Sequence, residues 1–308
     1  MYRLLSLSLI PLGLLVSLCL PTTPNSSAAD PLEGVWIRES DEYAGWVIEV
    51  KNDGSGGMEA RSLWVPSRPQ ELSGFQIGEK KMRSIRAKGD GEYSAESLAR
   101  GEESASYSDF EITLTNPARM IAVADLPDGQ IGDRQRYRRI APADVEYAFA
   151  LYGRAIIAGE KERFDEMAKS MELAARQLLK AKPAKALQPL ANNIAWMLAT
   201  ADDKPLKNPQ LALQLVPYLG DWFQHVDTAA AVYAANGNYQ KAVALQKQAI
   251  AEISAENAGD VRLREEGIPI DNPLALIGIA FANGVQLSQW KQDFEQRLQV
   301  YEEQLKSR

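Results

Sequence analysis

His225 is the only histidine in the 308-residue chain and Cys19 the only cysteine. Serine-based and metal-based hydrolysis ordinarily rest on imidazoles that carry protons or hold the ion. A single ring between Phe223-Gln224 and Val226-Asp227, with no companion nucleophile and no metal-ligand spacing, reads as a helix-terminal surface residue. Carboxylates are plentiful at 41 Asp plus Glu, so composition permits an acid pair of the glycosidase kind, yet no spacing singles out two of them. The run Asn52-Asp53-Gly54-Ser55-Gly56-Gly57 has a faint calcium-loop look, but one carboxylate is too few for the roughly six to eight oxygens that calcium takes. It reads as a hairpin, and Gly89-Asp90-Gly91-Glu92 as another chain reversal. No phosphate-cradling loop or dinucleotide fingerprint is present. These residues nominate no catalytic group, no cofactor site and no metal site. A formal net charge of −7 with scattered Lys and Arg also lacks the basic footprint of a nucleic-acid binder.

The first 29 residues carry one basic residue, an apolar run from Leu4 to Leu20 and a polar tail with small residues at Ser27 and Ala29. That pattern predicts an export signal cut after Ala29, leaving the mature chain in the periplasm or secreted. Lipidation at Cys19 and retention as a membrane anchor stand as alternatives. Leu18 precedes Cys19 where a lipoprotein signal wants a small residue, and Pro11 interrupts the apolar run. Cleavage removes the only cysteine, so the mature fold rests on burial without disulfides.

From residue 30 to 141 short alternating runs are separated by turn signals at Asn52–Gly57, Gly89–Gly91, Asn116–Pro117 and Asp128–Gly129. Trp46, Ile48 and Val50 alternate with Val47 and Glu49, and Phe110, Ile112 and Leu114 alternate with Glu111, Thr113 and Thr115. Such period-two patterning predicts strands with one buried and one wet face. About eight of them would form an antiparallel sheet or close into a barrel. The opening Gly34-Val35-Trp36 resembles the Gly-x-Trp that begins lipocalin-like barrels. The resemblance implies that Trp36 plugs the closed end and that Arg138 or Arg139 stacks on it.

Pro142 and Asp144 mark the boundary to a helical region, 142–308. Helices are predicted over Val145–Ala158 and Lys161–Lys180, the second with an apolar stripe of Phe164, Met167, Met171, Ala174 and Leu178. In Gln224–Ile253 two helical patterns meet at Gly237, with Ala230 and Ala242 small enough for close backbone approach and Tyr233 and Tyr239 flanking them. Further helices are predicted from Pro273 to about Ala282 and again after Leu287, the last anchored by Trp290 and Phe294, with its charged triplets, KQD and EQR among them, as a solvated face.

The run Ala230, Tyr233, Gly237, Tyr239, Ala242, Ala249 resembles a tetratricopeptide repeat. Val226, Ala229, Gln246 and Ser254 depart from that pattern. A looser copy lies upstream, with Ala195, Leu198 and Ala212 in the places of Ala230, Tyr233 and Ala242. An unrelated helical bundle with alanine-rich contacts is the competing reading. The resemblance implies that first helices line an inner groove, with Asn192, Asn193 and Trp196 from one repeat and Gln224, Asp227 and Ala231 from the next. Lys and Arg, which grip carboxylates in that family, are missing from these six places, so an acidic peptide terminus is disfavoured. Trp196 buried between the repeats is the alternative to Trp196 exposed in the groove.

The sequence therefore predicts an α+β chain of two domains, an N-terminal antiparallel β-barrel or sheet followed by a tetratricopeptide-like helical domain. The expected function is a non-enzymatic extracytoplasmic scaffold that binds a protein or peptide, without nucleic acid. A small barrel for apolar ligands with a helical docking domain is the alternative, and a hydrolase using carboxylates at the barrel rim is a third.

Overall fold

The structure is a computed structural model describing residues 29–39, 43–66, 74–100, 105–125, 131–202, 205–255 and 273–307. The apolar leader with Cys19 and Ser27, the turn at Asp128–Gly129 and residues 256–272 lie outside the described residues. Pro31–Arg308 forms one compact unit.

Eight antiparallel strands close into a barrel: β1 (Gly34–Arg38), β2 (Val47–Asn52), β3 (Met58–Trp64), β4 (Lys80–Gly89), β5 (Glu92–Arg100), β6 (Ala105–Asn116), β7 (Arg119–Asp125) and β8 (Ile131–Arg139). Each pairs with the next, and β8 returns to β1 through Trp36↔Arg139 and Ile37↔Arg138. Closure satisfies backbone groups that an open sheet would leave at its edges. The interior is filled by Trp36, Trp46, Ile48, Met82, Ile85, Ile112, Met120 and Tyr137, all buried. Trp36 Nε1 donates to Leu32 O at 2.9 Å. Of the two candidate arginines it is Arg139 whose guanidinium lies 4.2 Å over the Trp36 ring, while donating to the carbonyls of Pro31, Glu33 and Pro117. The Asn52–Gly57 segment is the β2–β3 hairpin turn. Asp53 Oδ1 accepts there from Ser55 N and Ser55 Oγ, both at 2.8 Å, and these bonds hold its carboxyl below the usual range.

The helices are α1 (Tyr147–Glu160), α2 (Phe164–Leu178), α3 (Gln188–Thr200), α4 (Pro209–Leu215), α5 (Phe223–Ala235), α6 (Tyr239–Ala255) and α7 (Pro273–Lys306). Strand β6 keeps the expected alternation, with Phe110 and Ile112 buried and Glu111, Thr113 and Thr115 exposed. The expected wet outer face fails at β1 to β3, because α1 lies across it. Val35, Val47 and Leu63 point outward yet join the core of the helices. Trp64 packs on Phe149 and Tyr152 at ring-centroid distances of 5.0 and 5.8 Å, and Arg154 reaches Glu49 at 2.7 Å. Strand β3, MEARSLW, is consequently buried on both faces and shows no period of two.

Helix α1 starts beyond Asp144, whose carboxylate accepts from Ala141 N in the preceding turn at 2.8 Å. On α2 the expected stripe holds at Met171, Ala174 and Leu178, but Phe164 is exposed at its first position. Two helical hairpins follow, α3 with α4 and α5 with α6, and α3 packs on α5. Gly237 turns the second hairpin at φ +77°, a backbone region that side chains disfavour. Ala230 and Ala242 are fully buried and meet Tyr301 of α7. In place of two terminal helices there is one of 34 residues. Asn283-Gly284 suggests a break, but a glycine inside a helix costs only about 1 kcal/mol relative to alanine, so the helix runs on.

Candidate functional site

Three helices and one neighbour frame an open groove of about 440 Å³. Helix α3 presents Asn192, Asn193, Trp196 and Met197, α5 presents Gln224, Asp227 and Thr228, α7 presents Trp290, Asp293, Phe294 and Arg297, and α1 adds Tyr152. The spacings of three and four on each helix put these groups on one face. Five of the six residues nominated from the sequence line this groove together: Asn192, Asn193, Trp196, Gln224 and Asp227. Ala231 does not line it, being buried in the packing of α5. Trp196 is half-buried, with its ring at the groove.

The electrostatic centre is Asp227. Its Oδ1 and Oδ2 accept from Arg297 Nε and Nη2 at 2.9 and 3.0 Å, and Oδ1 also accepts from Gln246 Nε2 at 2.8 Å. Burial pushes the Asp227 carboxyl above its ordinary pKa, against the pull of Arg297 and Gln246. The same surroundings push the Tyr301 hydroxyl up to about 12, burial first and the Asp227 charge second. The Arg297 guanidinium lies 5.2 Å from the centre of the Trp196 ring and 5.1 Å from that of Phe294. Tyr152 is held above its ordinary value by burial, opposed by a hydrogen bond with Asn193. Gln246, which departs from the repeat pattern where a bulky apolar residue is usual, is fully buried as the amide that supports Asp227.

Sequence reasoning missed the contribution of α7. Asp293 and Arg297 belong to the KQD and EQR triplets taken as a solvated face, and both face the groove instead. Their signal was present as the 290, 293, 294, 297 spacing, which continues the Trp290–Phe294 stripe. Only the packing of α7 against α5 and α6 aims that stripe at α3.

No match emerges when the chain is compared with protein-family models, curated proteins and solved structures.

His225 is not at the surface. It is buried at the start of α5, with Nδ1 accepting from Gly220 N at 3.0 Å and the ring edge-on to Trp222. Burial lowers its pKa, opposed by Asp221. Among the described residues no three His, Cys, Asp or Glu side chains group to hold a metal ion, and no helix is long and apolar enough to cross a membrane. A second polar cluster sits in the barrel, at the end where β1 finishes and β2 begins. There Lys81 Nζ donates to Leu98 O at 2.6 Å and lies 4.7 and 5.2 Å from the Phe75 and Trp46 rings. Its pKa falls to about 7 through burial, aided by nearby Arg38.

Proposed function

We propose that the chain is a non-catalytic binding module, exported by its apolar leader, whose α3–α5–α7 groove receives a segment of a partner polypeptide. The observation that carries this reading is the groove lining. The side-chain amides of Asn192, Asn193 and Gln224 stand beside the rings of Trp196 and Trp290 in one open channel. Planar amides offer paired donors and acceptors to an extended backbone, and indoles anchor an apolar or amphipathic side chain at low entropic cost. The paired hairpins with their Ala230–Ala242 contact support the tetratricopeptide-like reading of this region. The Arg139–Trp36 stack is in keeping with a lipocalin-like barrel, but an interior filled by its own side chains favours the helices over the barrel as the binding element.

Photocrosslinking tests the proposal. A benzophenone side chain at position 193, in protein expressed in an exporting host, is expected to yield polypeptide adducts. The same probe at Thr113, on the exposed barrel wall, is expected to yield none. Equal adducts at both positions, or none at 193, overturns the reading.

A further inference from the structure

Among the described residues, the charges lining the groove do not balance. Asp227 is matched by Arg297, held by two hydrogen bonds. Asp293 faces the same groove and has no ion-pair or hydrogen-bond partner among the described residues. A carboxylate unpaired in the groove favours a cationic partner over a neutral or an anionic one.

The walls point the same way. The rings of Trp196, Trp290 and Phe294 present electron-rich faces, and Arg297 already lies over two of them. Such faces attract a cation, most strongly where water is displaced. A lysine or arginine stem would also cover indole surface with its methylenes while its head stays among polar groups. A carboxylate ligand would meet Asp293, and Arg297, the one cation among the described lining residues, already holds Asp227 in a bidentate pair.

Resting on the groove as a polypeptide site, we propose that it selects partner segments through one lysine or arginine side chain. The stem lies along the Trp196 and Trp290 rings and the cationic head is held by the Asp293 carboxylate. The chain's own net charge of −7 favours the approach of a basic partner.

The test titrates the full mature chain with four blocked pentapeptides, acetyl-Ala-Leu-X-Leu-Ala-amide, in which X is Lys, Arg, norleucine or Glu. Tryptophan fluorescence and calorimetry read the binding. The Lys and Arg peptides are expected to bind roughly tenfold more tightly than norleucine, the worth of one partly desolvated charged contact, with Glu weakest. Raising the salt from 50 to 500 mM should erase most of that preference. Asp293→Asn should bring Lys down to norleucine, and Asp293→Glu should keep the preference. The wild-type peptide series decides the matter even if a variant folds poorly. Equal binding of Lys and norleucine overturns cation selection while leaving the polypeptide groove intact, and tightest binding of Glu overturns it in favour of capture by Arg297. No binding of any peptide, together with a response to a neutral oligosaccharide such as maltohexaose, overturns both readings.

Discussion

Gly153→Ala should loosen the seat of the helical region on the barrel. Gly153 lies in α1 where that helix crosses β3. A methyl group built there stands 2.6 Å from both the Cα and the carbonyl carbon of Leu63, and closer still to its carbonyl oxygen. In an unobstructed helix the same substitution gains about 1 kcal/mol, because alanine loses less backbone freedom than glycine. Here the obstacle is backbone within a closed barrel and cannot rotate away. Ordinary contact near 3.4 Å requires α1 to lift by about 1 Å, a gap that forfeits a quarter to a half of each dispersion contact it opens. The contacts at risk include Trp64 with Phe149 and Tyr152, and Val47 and Leu63 beneath them. Overpacking costs about 1–3 kcal/mol, and an unyielding backbone places this site at the upper end. After the helical gain a net loss of about 2 kcal/mol remains, equivalent to a fall in Tm of about 3–4 °C. Urea unfolding followed by circular dichroism measures it. Gly159→Ala is the internal control: its methyl group meets Met167 Sδ at 2.8 Å, the far end of a flexible side chain, so it should be neutral or slightly stabilising. If Gly153→Ala proves as stable as the wild type with an unchanged denaturant slope, the close α1–β3 contact is not part of the folded chain.

Trp196→Ala is expected to cost about 1–2 kcal/mol, because the ring is half-buried and lines an open groove; a loss of about 3–5 kcal/mol, as for an emptied aromatic core site, would place it in the core. Lys81 supplies a pH test. Its folded pKa of about 7 lies below the ordinary 10.5, so between those values the unfolded chain holds a proton that the folded chain has released. Stability from this group therefore rises with pH across that window and is flat below it. Lys81→Met should gain stability relative to wild type most clearly at pH 6, and the advantage should shrink in melts at pH 8 and 9.5; a constant difference would contradict the burial of a charged amine. Arg139→Lys should destabilise by about 1–3 kcal/mol, since a point charge replaces a planar fork that stacks on Trp36 and serves three carbonyls; unchanged melting would show that the stack carries no stability. Intact-mass measurement on protein from an exporting host should show loss of the first 29 residues, and retention of Met1 or a lipid on Cys19 would refute it.

Local pattern alone determined much of this fold. Period-two alternation with turn residues marked most strands, the Ala230, Gly237, Ala242 spacing marked the α5–α6 hairpin, and five groove residues followed from treating α3 and α5 as equivalent. Each is a property of residues within one or two turns of each other, where helix and strand periods translate directly into faces. What lay beyond reach depended on which surface covers which. Strand β3 has no alternation because α1 buries its outer side, and His225 is buried because Gly220 and Trp222 fold over it. Gln246 looked like a flaw in a repeat until Asp227, itself held by Arg297, accepted its amide hydrogen. The charges of α7 read as solvated because a helical stripe of Trp290, Asp293, Phe294 and Arg297 fits either a wet face or a groove wall. Only the contacts of α7 with α5 and α6, made across a long stretch of chain, turn that stripe toward Trp196 and complete the site.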